Sequence, residues 1–326
     1  TLLAINVVLL HIFNVPRLGN FSVSFFFILS GFLMTLIIHK NYGYTLKGFK
    51  IFWINRMLRL YPVNIAVIIL TLLLVLSFPE VQRNSSIFFD CTLMDWFYNL
   101  TMLYPEIVPH RFNPRMVPTS WAITNELVFY LFISFGLSKT LKSTICWFII
   151  SILYYLFTYK FYDLATFRYS AIPASSLPFS IGALIYWGFE KNKLSDNVNY
   201  ILLSVYLILF YSNGIYGKTL GDFSIYINML LAALIIIELF KIKNLKYSKI
   251  DKYIGLYSYP IYLSHYMILI VYTAFFSFGL IENSLKLYIK ALPLYFVLLI
   301  FFNFLIVEFI DIKIDRIKKK IKAKRL

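Results

Sequence analysis

Long apolar segments follow one another along almost the whole chain, and they restrict its possible folds more than any other feature. FSVSFFFILSGFLMTLII, which begins at Phe21, approaches the roughly 20 residues that a helix needs to cross a bilayer. Of the 326 residues, 60% are hydrophobic and only 14% are charged, whereas soluble domains carry about 25% charged residues. We therefore predict an all-α, polytopic integral membrane protein.

The apolar segments indicate about ten transmembrane helices. They are expected at about 1–13, 21–39, 60–78, 119–138, 143–160, 171–189, 199–216, 223–240, 253–278 and 288–310. The first is too short to cross a bilayer, so we expect that helix one begins before Thr1. Residues 1–312 are predicted to form one transmembrane domain, and residues 313–326 a basic cytoplasmic tail.

Lysine and arginine are concentrated in alternate loops. The chain has 31 Lys and Arg against 15 Asp and Glu, and most of the basic residues follow the second, fourth, sixth and eighth predicted helices or lie in the tail. Because the basic loops of membrane proteins are cytoplasmic, we predict a multi-pass protein of the cell (inner) membrane with both termini in the cytoplasm. Contact with membrane lipids explains the net charge of +16 without a nucleic-acid partner.

Among the titratable side chains of the predicted helices, His11, Glu126 and His265 stand out as candidate functional residues. Ionisable groups are costly in hydrocarbon and usually mark functional sites. A rise of about 1.5 Å per residue puts all three in the outer half of the bilayer, so we expect them to share a cavity. Structural alternatives are a neutral histidine bonded to a neighbouring helix and a Glu126 paired with Arg115. The histidines are too few and dispersed to indicate a metal site.

A further cluster, the pair Arg56 and Arg59, can be interpreted in two ways. Arg56 and Arg59 are three residues apart, and therefore on one helix face, at the predicted cytoplasmic mouth of the third helix. Their planar guanidinium groups suit phosphate recognition, although anchoring of the topology would also explain them.

The Ser30–Gly31 pair permits close helix approach. The outer loop 79–118 suits either acceptor binding or a structural lid.

Five motifs together resemble those of the acyltransferase 3 family of polytopic membrane acyltransferases. A histidine in helix one is followed by FFFILSGFLM, RMLRLYP, SWAITNELVFY and LYSYPIYLSH. These correspond to the family's FF-x-LSGF, R-x-x-R-x-x-P, W-T-L-x-x-E-x-x-FY and S-Y-x-x-Y-L-x-H, in the same order, from the first residue to about residue 310. Ala122 and Ile123 depart from the W-T-L-x-x-E-x-x-FY motif. The family's terminal E-x-P motif lacks its proline here, so Glu308 is given no role.

The resemblance implies transfer of an acyl group, with acetyl expected, from cytoplasmic acyl-CoA to a hydroxyl of a cell-surface glycan or lipid-linked sugar. Acyl-CoA would be a substrate, and no cofactor is expected to stay bound. The resemblance assigns His11 as the general base, and Glu126 as its orienting partner or as a ligand of the acceptor hydroxyl. Arg56 and Arg59 would bind the phosphates of CoA. Trp121 is assigned to substrate binding, and His265 to substrate binding or to support of the site.

Two other classes of function use a similar membrane domain. A transporter or flippase for a lipid-linked glycan or small metabolite would also need ionisable groups within the membrane. The sequence has no repeated halves and no paired helices broken by Gly or Pro, both of which are typical of transporters. A non-catalytic partner of a glycan-assembly complex is the third alternative, and the His, Glu and Arg cluster argues against it.

Overall fold

The computed structural model describes residues 1–15, 17–191, 194, 197–242, 248–282 and 284–323, and within these ranges the protein is all-α. Short 3-10 and π turns join thirteen α-helices there. The helices are α1 (Leu2–Phe13), α2 (Leu18–Ile37), α3 (Leu46–Ser77), α4 (Leu93–Thr101), α5 (Trp121–Ser134), α6 (Leu141–Phe161), α7 (Ile172–Glu190), α8 (Tyr200–Tyr216), α9 (Phe223–Phe240), α10 (Ser248–Leu256), α11 (Ser258–Phe275), α12 (Leu292–Ile306) and α13 (Ile312–Ala323).

Seven helical segments of this described part are long and apolar enough to cross a membrane. They are Leu18–Tyr42, Leu46–Ser77, Leu141–Phe161, Ile172–Glu190, Phe223–Phe240, Lys249–Phe275 and Ile289–Arg316. Helices α1, α5 and α8 are apolar but have only 12, 14 and 17 residues. The all-α fold with several candidate membrane-spanning helices is thus confirmed, and the count of about ten spans stays a prediction.

Two predicted boundaries differ from the structure. Helix α3 begins well before residue 60, because the amphipathic segment LKGFKIFWINRMLRLY continues into the apolar one without interruption by Pro62. After α12, a π turn over Val307–Asp311 leads directly into α13, so most of the predicted tail is a helix. Residues 324–326 of that tail, and 243–247 and Lys193 of the predicted basic loops, lie outside the described residues.

Helix α2 lies at the centre of the bundle and touches α7 backbone to backbone. A Cβ atom added at Gly31 would lie 2.1 Å from the carbonyl oxygen of Phe179, and one at Gly182 would lie 2.0 Å from that of Ile28. Small residues permit such approach in membranes, where packing rather than hydrophobicity associates helices. The close approach predicted at Ser30–Gly31 is confirmed, and it brings Ser30 to α5 and Val23 to the centre of the protein.

Polar bonds inside the bundle fix α11 against α12. Ser264 Oγ donates to Asn303 Oδ1 at 3.1 Å, and the Tyr295 hydroxyl donates to the main-chain oxygen of His265 at 2.7 Å. All four side chains are buried. Because buried polar groups need partners in the hydrocarbon region, these bonds determine the register of α11 and so the position of His265.

The loop 79–118 is folded around one buried cation, Arg115, whose side chain is 3% exposed. Its guanidinium donates to the main-chain oxygens of Pro118, His110 and Phe112 and to Ser86 Oγ. The donors of Arg115 are thus bonded to the loop itself. The alternative in which Arg115 pairs with Glu126 is wrong.

We predict that Gly31→Ala destabilises the protein, because the added methyl group would overlap the backbone of α7. Overpacking of this kind costs about 1–3 kcal/mol, and the midpoint of thermal unfolding of the detergent-purified protein should fall. Gly255→Ala in α10 is the matched control, since an added Cβ there meets no atom within 4 Å. Equal midpoints for the two variants would contradict the close α2–α7 contact.

We also predict that Arg115→Met destabilises the loop 79–118, because buried carbonyl oxygens lose their donors. An unsatisfied buried polar group costs about 1–3 kcal/mol, so limited proteolysis should cut within this loop much faster than in the unmodified protein. The control Arg83→Met removes an arginine of the same loop that donates to Pro79 and Ile87 and is only half-buried. A proteolysis rate no higher than that of the control would refute this role of Arg115.

Candidate active site

His11 lines a cavity of about 380 Å³ at the end of α1, which we call the outer cavity after the predicted topology. Its walls come from α1, α2, α5, α11, the loop 79–118 and the turn Thr166–Ser170. The polar and aromatic side chains among them are those of Asn20, His110, Arg111, Trp121, Thr166, Tyr169, Ser170 and Tyr262. A titratable imidazole thus faces a cavity that holds both hydrogen-bonding groups and aromatic rings.

His265 lies directly behind His11 and bonds to it. His11 Nδ1 is 3.0 Å from His265 Nε2, and His265 Nδ1 is 2.9 Å from the main-chain oxygen of Tyr262. The two imidazole rings are stacked with centroids 5.2 Å apart, and Tyr266 stacks on His11 at 5.3 Å. His265 is completely buried and does not line the cavity.

These contacts determine which nitrogen of each neutral ring carries the proton. A carbonyl oxygen only accepts hydrogen bonds, so His265 Nδ1 must donate to Tyr262. His265 Nε2 is then an acceptor, and His11 Nδ1 donates to it. The lone pair of His11 is consequently on Nε2, the nitrogen that a general base needs to have free.

Arg56, Arg59 and Glu126 line a second, inner cavity of about 180 Å³. Glu126 Oε1 accepts from Ser30 Oγ at 2.9 Å, and Oε2 accepts from the Tyr130 hydroxyl at 3.0 Å. No salt bridge between described residues uses these two arginines or Glu126. The arginine pair is therefore available to an anionic ligand.

Val23 and Tyr262 line both cavities and form the wall between them. The Tyr262 hydroxyl donates to the Thr119 main-chain oxygen at 3.1 Å, and Thr119 Oγ1 donates back to the main-chain oxygen of Tyr262 at 3.0 Å. Phe26 packs edge-on against the Tyr262 ring at 6.2 Å. The inner and outer cavities thus adjoin at the ring of Tyr262, which we call the Tyr262 partition.

The expected position of Glu126 needs a correction. The sequence predicts that Glu126, His11 and His265 share one cavity, but Glu126 lies in the inner cavity and His11 in the outer one. Depth along a helix axis does not determine the direction of a side chain. Glu126 points toward Ser30 on α2 and the arginines, and its hydrogen bonds give it no role in orienting His11.

Trp121 lies at the first position of α5 and is 5% exposed. Its ring packs edge-on against Tyr169 and against His110, each with centroids 5.6 Å apart. The side chain forms part of the wall of the outer cavity. Its assignment to substrate binding is consistent with this position and stays a prediction.

Three cationic or polar residues were not identified from the sequence. His110 and Arg111 line the outer cavity, and only the basic cluster PHRFNPR within a long loop could have indicated them. Burial, followed by the charges of nearby Arg59 and Arg56, lowers the pKa of Lys318 in α13 to about 8, against the opposing effect of Asp311 and Asp315. A tail residue thus extends the basic group at the inner cavity.

Comparison with known proteins identifies the family. The family model for an acyltransferase domain matches residues 1–310, which is nearly the whole chain. No curated protein and no solved structure matches the chain. The match covers all five motifs and both cavities, and we conclude that the chain belongs to the acyltransferase 3 family and is a membrane acyltransferase.

Proposed function

We propose that the protein transfers an acyl group, with acetyl expected, from cytoplasmic acyl-CoA to a hydroxyl of a cell-surface glycan or lipid-linked sugar. The observation that carries this proposal is the pair of adjoining cavities. One holds an arginine pair suited to phosphate, and the other holds a histidine with a free lone pair. Donor and acceptor would thus approach the partition from opposite sides of the membrane.

The donor nucleotide would bind at the mouth of the inner cavity. Arg56 and Arg59 offer planar, bidentate donors to phosphate oxygens, and Lys318 adds a third charge nearby. Glu126 in the same cavity would accept hydrogen bonds from the amide N–H groups of the pantetheine arm. No bound cofactor is needed, since a thioester is already activated toward acyl transfer.

The pantetheine arm would run outward past Val23 and Tyr262 and bring the thioester to His11. Movement of the Tyr262 ring would open this path, because its ring lies between the cavities. The acyl group would then cross the membrane in the transfer step itself, without a separate carrier. This route is supported by the wall that the two cavities share.

The transfer would need one base and one orienting partner. His11 Nε2 takes the proton of the acceptor hydroxyl as its oxygen attacks the thioester carbonyl carbon. The C–S bond then breaks, and the departing CoA sulfur receives the proton from His11, which restores the neutral imidazole. His265 Nε2 holds the Nδ1–H of His11 throughout and stabilises the transient imidazolium, much as a carboxylate does in other triads.

The expected location is the cell (inner) membrane, with both termini in the cytoplasm. The arginine pair, Lys318 and α13 lie at one end of the bundle, and a basic end faces the cytoplasm. The outer cavity and the loop 79–118 would then face outward, toward the glycan. Trp121 would pack against the acceptor there.

His11→Ala should lower acyl transfer at least about 100-fold, since a positioned base contributes about 10²–10⁴ to the rate. The measurement is mass spectrometry of surface glycans from cells that contain either the unmodified protein or the variant. The acyl mass should disappear while the variant reaches normal levels in the membrane. His39→Ala removes an imidazole outside both cavities and should leave the acyl mass in place.

His265 provides a sharper test of the same arrangement. His265→Leu cannot accept from His11 and should lower transfer, though less than His11→Ala, whereas His265→Gln keeps an acceptor oxygen and should recover part of the loss. Activity above about a tenth of normal in His11→Ala, or no loss in His265→Leu, would overturn the assignment.

Arg59→Lys should weaken CoA binding more than it lowers the turnover of bound donor, because lysine keeps the charge but loses the bidentate fork. Isothermal titration of the detergent-purified protein with CoA is the measurement. Lys47→Ala, at the exposed start of the same helix α3, is the control for loss of positive charge. If Arg56→Ala and Arg59→Ala both keep full CoA affinity, these arginines serve only as topology anchors.

A further inference from the structure

The outer cavity is basic. Of the titratable side chains that line it, His11, His110 and Arg111 are bases, the others are tyrosines, and no Asp or Glu is among its described lining residues. Lys286 lies beside it, with its Nζ donating to the Leu10 main-chain oxygen at 3.1 Å. The permanent cations Arg111 and Lys286 therefore give this cavity a positive potential, which favours an anionic ligand.

Arg111 carries the charge that faces this cavity. Burial, followed by the charges of Arg115 and Arg111, lowers the pKa of His110, so His110 is neutral at pH 7. Arg111 is exposed, and its Nη2 donates to Thr166 Oγ1 at 3.2 Å on the opposite rim. A guanidinium has five N–H donors, so donors are left for a ligand.

The nearby acidic residue Asp163 does not form a salt bridge with Arg111. Asp163 lies near enough to feel its charge, but its Oδ1 accepts from the Thr166 main-chain N–H at 2.7 Å. Between described residues, no salt bridge within 4.0 Å joins Arg111 to a carboxylate. The guanidinium of Arg111 is therefore positioned at the cavity rim by Thr166 and can bind an anionic ligand.

The position of Arg111 is built into the fold. The 3-10 turn Pro109–Arg111 presents it, and the buried Arg115 holds that turn through the main-chain oxygen of His110. Trp121 and Tyr169 line the same cavity, so an aromatic ring can contact the apolar face of a bound sugar. The cavity thus combines aromatic rings that can contact a sugar with a guanidinium that can bind an anion.

We propose that the acceptor is an anionic glycan, in which a carboxylate or phosphate binds Arg111 while a neighbouring hydroxyl is presented to His11. This inference rests on the proposed function for the reaction at His11, and it assigns the loop 79–118 to acceptor recognition. Arg111 is then a specificity-determining residue, and His110 is a neutral hydrogen-bonding partner beside it.

The test is binding of three fluorescent probes to the purified protein without acyl donor. The probes are methylumbelliferyl glucoside, glucuronide and 6-phosphoglucoside, which share one sugar and differ in charge. We expect at least one anionic probe to bind about tenfold tighter than the glucoside, as for one charge-assisted contact. The preference should fall with added salt, because the site is open to solvent.

Variants identify the residue responsible. Arg111→Gln keeps a donor for Thr166 but should abolish the preference for the anionic probe, and Arg111→Lys should keep much of it. Lys290→Gln is the control: it removes a positive charge that does not line this cavity, and it should leave the preference intact. The carboxylate and phosphate arms tell which anion the site takes.

Two results would overturn the inference: absence of any preference for an anionic probe, including absence of binding, or an Arg111→Gln variant that keeps the preference. Probe binding is measured without acyl donor, so it does not require the reaction at His11. Failure of acyl transfer with intact anionic binding would therefore count against the proposed reaction and not against this assignment.

Discussion

A polar group inside a membrane must find its hydrogen-bonding partner within the protein, and the centre of this structure depends on that constraint. His265 donates to a carbonyl of its own helix, accepts from His11, and has its own main-chain oxygen capped by Tyr295. The bonds to His11 and Tyr295 tie α1 and α12 to α11. The network that satisfies these groups also leaves one nitrogen of His11 free, so stability and candidate chemistry come from the same contacts.

The candidate site is divided between two adjoining cavities. In the proposed reaction, Arg56 and Arg59 would bind the donor and His11 would activate the acceptor hydroxyl. The Tyr262 partition keeps Arg56 and Arg59 on one side and His11 on the other, while the approach of Gly31 to α7 keeps α2 central between them.

The outer loop illustrates how a buried charge can organise irregular backbone. Arg115 has no carboxylate partner among the described residues; its donors instead satisfy carbonyl oxygens that a turn-rich segment would otherwise bury unpaired. The same segment carries His110 and Arg111 to the cavity. A loop held this firmly can present side chains as reproducibly as a helix does.

The sequence by itself determined the class of protein, its helical content, the family and most of the candidate residues, because hydropathy, loop charge and motif spacing are local properties. Tertiary structure alone decided which of these residues meet. His11 and His265 are far apart in the chain yet hydrogen-bonded, whereas Glu126, expected beside them, belongs to the inner cavity. Axial depth can be counted from sequence, but the direction of a side chain depends on helix rotation and packing, which only the folded bundle sets.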